Sequence, residues 1–256
     1  MANASPHIEI RNLTMKYGHK LIQENLNFCI NRQDIFILMG GSGCGKSTLL
    51  KHMIGLYKPA AGKVLVNEES LWEATPSRRR EMLQGFGVSY QAGALVSSLT
   101  LAENVGMPLE LYTDRTPAEV RELVELKLAM VGLSGFEDYY PSEISGGMLK
   151  RAALARAIAL DPDILFFDEP SAGLDPVSAR LLDDLILELS ASLKSTIVIV
   201  THELASIFAI ATNAVFLDAE TKTMLACGHP KDLLDHCDNP KVQRFLRRGE
   251  EPARTN

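Results

Sequence analysis

A glycine-rich run between a buried strand and a helix constrains this chain more than any other feature. Gly40-Gly41-Ser42-Gly43-Cys44-Gly45-Lys46-Ser47 follows the apolar run Ile35–Met39 and precedes Thr48–Ile54. Strand, glycine turn, helix is the context that a phosphate-binding loop requires. The glycines let backbone N–H groups crowd around phosphate without Cβ clashes, and the helix N-terminus adds a fixed partial positive charge. Gly40, Ser42, Gly43, Cys44, Gly45 and Thr48 are read as cradling the phosphates of a nucleoside triphosphate. Lys46 reaches the β- and γ-phosphates, and the Ser47 hydroxyl ligates Mg²⁺.

Length and charge bound what else is open. At 256 residues the chain is one or two domains with a large core. Its net charge of −6 counts against broad nucleic-acid binding, which needs a surplus of Lys and Arg. No apolar run approaches the roughly 18–20 residues that span a bilayer. The first residues, Met1–Pro6, carry neither a basic region nor an apolar core, so no secretion signal is expected. Cys29, Cys44, Cys227 and Cys237 lack metal or CxxC spacing and read as reduced thiols. Cys44 admits two readings, an oxidisable block on the loop or a small loop filler.

The pattern along the chain is α/β. Strands are expected at residues 7–16, 25–31, 35–39, 63–67 and 87–90, with antiparallel pairing near the N-terminus because the connections are short. Residues 92–160 change character and read as a helical insert. Pro117 opens an amphipathic helix running to about Val131 that Gly132 ends, and a second helix follows Ser145. Alternation then returns: strand 164–168, helix 176–193, strand 196–200, helix 203–210, strand 214–218. This is a parallel-sheet core with a helical insert. The segment from residue 241, charged from Arg244 onward, reads as a short fraying tail.

Ile164-Leu165-Phe166-Phe167-Asp168-Glu169 places two acids at the carboxyl end of a buried strand, where open α/β sheets bind ligands. Asp168 is read as holding Mg²⁺, directly or through water, and Glu169 as the general base on the attacking water.

With these elements in order, the chain resembles the nucleotide-binding subunit of an ATP-binding-cassette (ABC) transporter over about residues 7–235, with the ABC ATPase domain expected at 7–240. The fold this implies is a P-loop NTPase core with an N-terminal antiparallel β subdomain and a helical insert. The resemblance gives Tyr17 the role of the aromatic that stacks on adenine, although a β-edge tyrosine looks the same in sequence. It likens Gln91 to the glutamine that touches Mg²⁺ and water. Ser145, Gly146 and Gly147 resemble the signature motif, Asp175 the aspartate that follows the catalytic acid, and His202 the histidine that contacts the γ-phosphate. It also implies a head-to-tail homodimer with two ATP molecules at the interface, the signature of one protomer covering the γ-phosphate held by the other.

One departure narrows the family. Met148 stands where the commonest signature residue is Gln, and a thioether cannot donate a hydrogen bond to the opposing ribose. The run Pro141–Leu160, with Tyr90–Leu95 and Leu99–Val105, resembles the ATPases of bacterial phospholipid transporters that work with mammalian-cell-entry (MCE) proteins. That resemblance implies an integral-membrane permease, an MCE-type lipid-binding protein, a small regulatory STAS-like subunit and a peripheral place on the cytoplasmic face of the bacterial inner membrane. An ABC importer or exporter for another solute is the alternative, because substrate choice lies mainly in the permease and binding protein. Ala94, Leu95, Val96, Leu99 and Leu101 are read either as a groove for a permease helix or as insert core.

Overall fold

The computed structural model describes residues 5–91 and 93–247. Contacts divide the chain into two compact units, one comprising the chain up to Arg79 and from Val198 onward, the other Arg80–Ile197. Residue 92, where the insert is expected to open, and the tail beyond Arg247 lie outside the described residues.

The first unit begins with β1 (Ile8–Tyr17) and β2 (Lys20–Ile30), a hairpin paired antiparallel from Ile8↔Ile30 to Tyr17↔Lys20. β4 (Ala61–Val66) flanks β1 on its other side and carries the two-residue β5 (Glu69–Ser70). Alternation decides which face is buried. Ile8, Ile10, Leu13 and Met15 point inward while Glu9 and Arg11 pair on the outside. β3 (Ile35–Gly40) is buried at every position, as expected for a strand covered on both faces. It leads into α1 (Lys46–Met53) and pairs parallel with β9 (Asn213–Leu217), which β10 (Met224–Gly228) edges antiparallel. α7 (Leu204–Ile210), α8 (Pro230–His236) and α9 (Pro240–Leu246) complete this unit.

α9 corrects the expected tail. Val242, Phe245 and Leu246 are buried, the Phe245 ring meets Phe216 edge-on at 5.2 Å, and Lys241 bridges Asp218 and Glu220. Burying such apolar side chains contributes about 1.5–3 kcal/mol each, enough to hold a seven-residue helix that would not form alone.

In the second unit β6 (Phe86–Ser89) pairs parallel with β7 (Ile164–Asp168), all five of whose residues are buried. α3 (Leu101–Tyr112), α4 (Pro117–Met130) and α5 (Gly146–Ala157) fill most of the interval between them. α3 and α4 open on complete capping boxes, Thr100 with Glu103 and Thr116 with Glu119, each worth about 1 kcal/mol. α4 buries Val120, Val124, Lys127 and Leu128, one face of a helix. The Lys127 ammonium on that face is met by the Asp161 carboxylate. α6 (Pro176–Leu193) follows β7. Two elements lie across the division: α2 (Pro76–Gln84) and β8 (Thr196–Val200).

Candidate active site

The candidate residues fall in both units. In the first unit, the loop leaves β3 at Gly40 and enters α1 at Lys46. Gly40, Gly43 and Gly45 have φ of +146°, +74° and +99°, conformations that L side chains rarely adopt. A Cβ on Gly40 would lie 2.3 Å from the Leu217 carbonyl oxygen, and one on Gly45 would lie 2.7 Å from Ile22 Cγ2. By contrast, a Cβ on Gly41 or Gly43 would meet nothing within 4 Å. The loop is thus braced on its protein side and open on the other. Lys46 Nζ donates to the carbonyl oxygens of Gly40 (2.9 Å) and Gly41 (3.1 Å), holding the ammonium against the loop. Among the described residues no side chain caps the N-terminus of α1. These features fit a triphosphate: backbone donors at a helix end, one fixed cation and no side chain competing for them.

Cys44 fits the duller of its two readings. It is 1% exposed, and burial pushes its thiol up, with the Lys46 ammonium pulling the other way. A protonated buried thiol is inert filler. Tyr17 ends β1 and is 73% exposed, so its ring can offer a face to a base. His202 follows Thr201, whose N–H donates to the Leu38 carbonyl (3.4 Å). The histidine therefore stands just beyond the segment alongside β3, with Nε2 3.7 Å from Glu203 Oε1.

In the second unit, Asp168 ends β7, and Glu169 takes a positive φ of +50° immediately before Pro170. A non-glycine residue there is strained, and such strain concentrates at functional positions. Burial, then the nearby Asp168 carboxylate, pushes the Tyr90 hydroxyl up, which places Asp168 beside the segment leading into Gln91. Gln91 is itself exposed. Ser145 Oγ accepts from Met148 N (3.3 Å) and caps α5, leaving the exposed Gly146 and its neighbour Gly147 with open space where a Cβ would lie. Asp175 caps α6 through the N–H groups of Val177 (3.0 Å) and Ser178 (3.1 Å), and hydrogen bonds from Ser178 hold its carboxyl below the usual range. Ser145, Gly146, Gly147 and Asp175 line one cavity of about 740 Å³, with Met148 in its wall.

Lys150 and Arg156, one turn and more apart on α5, carry roles that sequence reasoning missed. Lys150 is 9% exposed, and its ammonium donates to the Gln91 carbonyl and to that of Glu169 (3.4 Å). Arg156 donates to the carbonyls of Ala94 (2.8 Å) and Gly93 (3.0 Å). The segment after Gln91 is thereby strapped to the helix that Ser145 caps. Buried Asn104 shapes the next stretch, bonding Val96 N and the carbonyls of Val96, Leu99 and Thr100. The apolar residues there divide between the two readings: Leu101 is core, while Ala94 and Val96 are exposed.

Burial pushes the Lys150 ammonium down, Glu169 partly offsetting it, so its retention needs those carbonyls. Lys150→Met keeps the stem and removes the strap. Hydrogen bonds to charged groups are worth about 1.5–3 kcal/mol, so turnover is expected to fall roughly ten-fold or more while nucleotide affinity holds. Steady-state ATPase assays beside equilibrium binding check this; an unchanged kcat would reduce Lys150 to helix packing.

A family model described as "ABC transporter" matches residues 23–172. The chain is 38% identical over 247 residues to the intermembrane phospholipid transport system ATP-binding protein MlaF of Haemophilus influenzae, covering 96% of this chain and 93% of that protein. It is 36% identical to the Escherichia coli K12 protein of that name, covering 93% and 88%. It is 39% identical to a probable ribonucleotide transport ATP-binding protein, mkl, of Mycobacterium tuberculosis, covering 93% of this chain but 66% of that one, just under two thirds of its length. Among solved structures, the dimeric ATP-binding cassette MJ0796 in a post-hydrolysis state with ADP and Pi superposes with a TM-score of 0.76 at 26% identity, covering 87% and 98%. The cbiO1 subunit from Clostridium perfringens has the same fold, with a TM-score of 0.82 at 24% identity and 96% coverage of both chains.

Proposed function

The chain belongs to the ABC transporter family, and on that premise we propose that it hydrolyses ATP to drive a membrane transporter whose substrate is phospholipid. The hydrolytic part is supported by the braced loop with Lys46 held across it. The substrate rests on the near end-to-end match to the two proteins named for intermembrane phospholipid transport. The ribonucleotide-named relative is matched over a smaller share of its own length.

Each residue has a task in this reading. Tyr17 stacks on adenine. The N–H groups from Gly43 to Thr48 and the Lys46 ammonium hold the phosphates. Ser47, Gln91 and Asp168 would be the Mg²⁺ ligands, and the ion would supply charge neutralisation of the phosphate oxygens. Glu169 orients the attacking water and takes its proton on the carboxylate, and His202 contacts the γ-phosphate. Ser145, Gly146, Gly147 and Asp175 face the nucleotide held by a second copy in a head-to-tail homodimer. Hydrolysis removes the ligand shared by the two copies, and the closing and opening of the pair drives transport. No helix among the described residues is long and apolar enough to cross a membrane. A permease supplies the crossing, an MCE-type protein carries the lipid, a STAS-like subunit regulates, and the chain sits on the cytoplasmic face of the inner membrane.

The test is recovery of the tagged chain from membranes with identification of bound proteins and lipids. A multi-span permease with an MCE protein and phospholipid is expected. A permease with a binding protein for another solute would overturn the substrate, and recovery of no membrane protein would overturn the transporter role.

A further inference from the structure

Gln23 is a fully buried polar side chain, outside any recognised motif, that hydrogen-bonds the phosphate loop. It lies on β2, opposite Met15, and is 0% exposed. Its Nε2 donates to the Cys44 carbonyl (2.6 Å) and to the Asp218 carbonyl (2.8 Å). Both acceptors are main-chain atoms, one in the middle of the loop and one just past the end of β9. The Asp218 side is firmly fixed. Its N–H donates to Thr223, and its carboxylate accepts from Thr221 N (2.8 Å), Thr221 Oγ1 (2.9 Å) and Lys241 Nζ (2.9 Å). Gln23 therefore ties the loop to a turn that these hydrogen bonds hold in place.

Packing alone does not account for an amide here. Gln23 Oε1 is buried with no hydrogen-bond partner among the described residues. An orphaned acceptor costs the fold, so the amide is kept for its two donated hydrogen bonds, which an apolar side chain of the same length could not make. The geometry shows what the amide does instead. A peptide unit is planar and trans, so its C=O and the following N–H point in opposite directions. With the Cys44 carbonyl drawn inward to Gln23, the Gly45 N–H is turned outward, away from β2 and toward the open side of the loop. Gly45 is also the residue whose φ of +99° and missing Cβ let β2 approach so closely, with Gln23 Cγ 3.5 Å from where that Cβ would lie.

We propose that Gln23 is a positioning residue for the nucleotide: it sets the Cys44–Gly45 peptide so that the Gly45 N–H is aimed at phosphate. The proposal rests on the reading of residues 40–48 as the triphosphate site. Its effect falls on binding more than on the chemical step, because no group of Gln23 touches the reacting atoms.

The experiment compares Gln23→Met, Lys46→Ala and the unaltered chain for affinity toward a non-hydrolysable ATP analogue, for KM and kcat, and for thermal unfolding without nucleotide. Gln23→Met is expected to raise Kd and KM about ten-fold, the worth of one misaimed charge-assisted hydrogen bond, while kcat falls less and the nucleotide-free chain still unfolds cooperatively. Affinity within two-fold of the unaltered chain, with Lys46→Ala weakened, would overturn the role of Gln23 alone. Failure of Lys46→Ala to weaken binding would overturn the loop reading and this proposal with it. If Gln23→Met does not fold, Gln23→Glu keeps the shape and loses the paired donors; the same rise in Kd is expected, and affinity within two-fold would again overturn the proposal.

Discussion

Glu169→Gln will bind ATP as the unaltered chain does and hydrolyse it about 10²–10⁴-fold more slowly. The substitution is nearly isosteric, and the residue's place is set by its surroundings more than by its own charge. Four buried apolar residues of β7 precede Asp168, Pro170 follows Glu169, and the Glu169 carbonyl is held by Lys150. A glutamine can keep the strained φ of +50° as well as a glutamate can, since the cost comes from Cβ and the main chain. It can still hydrogen-bond a water but cannot take its proton near neutral pH. Binding and chemistry should therefore separate: unchanged Kd for the triphosphate, unchanged thermal unfolding, collapsed kcat. Phosphate release beside equilibrium binding on the purified chain measures all of this. A rate equal to the unaltered chain would remove Glu169 from the base role and shift attention to His202.

The elements legible from sequence are those in which local signals and burial agree. β7, β8 and α6 are read to their observed ends, because a strand buried on both faces appears as an unbroken apolar run. Asp175 with Pro176 announces a helix start in the same plain way. α2 escapes because it is polar almost throughout and buries only Met82. α3 is broken on paper by Gly106 and Pro108, yet its capping box and its packing against α4 and α5 override propensity. α8 and α9 are seven residues each, and their side-chain N-caps and first-turn prolines need tertiary burial to hold so short a helix.

The candidate site divides similarly. Glycines and acids at motif spacing are visible because their chemistry demands those residue types. Lys150, Asn104 and Gln23 are not, since a side chain bonded to main-chain carbonyls reads in sequence like any solvated polar residue. The Lys150 acceptor on Gln91 lies 59 residues away, and the Gln23 acceptor on Asp218 lies 195 away. No periodicity encodes such pairs.

Lys46→Ala will abolish turnover and weaken triphosphate binding, and the cause is double. The first part is charge. Two unit charges 4 Å apart attract by about 4 kcal/mol at an effective dielectric of 20, which bounds the loss near 10³-fold. Lys46 is 9% exposed and its ammonium is held by two loop carbonyls, so much of its desolvation is met in the fold itself and little of that attraction is spent on binding. The second part is shape. Lys46 Nζ joins the carbonyls of Gly40 and Gly41, and its removal frees the first two residues of the loop, both glycines, to sample other conformations. The two parts are separable by ligand. Loss of charge falls on triphosphate far more than on adenosine, whereas a collapsed loop would also disturb the packing of Cys44 and lower the thermal midpoint. Lys46→Arg sharpens the distinction: it restores the charge, but a planar fork cannot take the place of a compact ammonium between two carbonyls. Partial recovery of binding without recovery of turnover is the expected result. Triphosphate affinity unchanged in Lys46→Ala would show that the loop holds its ligand by backbone donors alone.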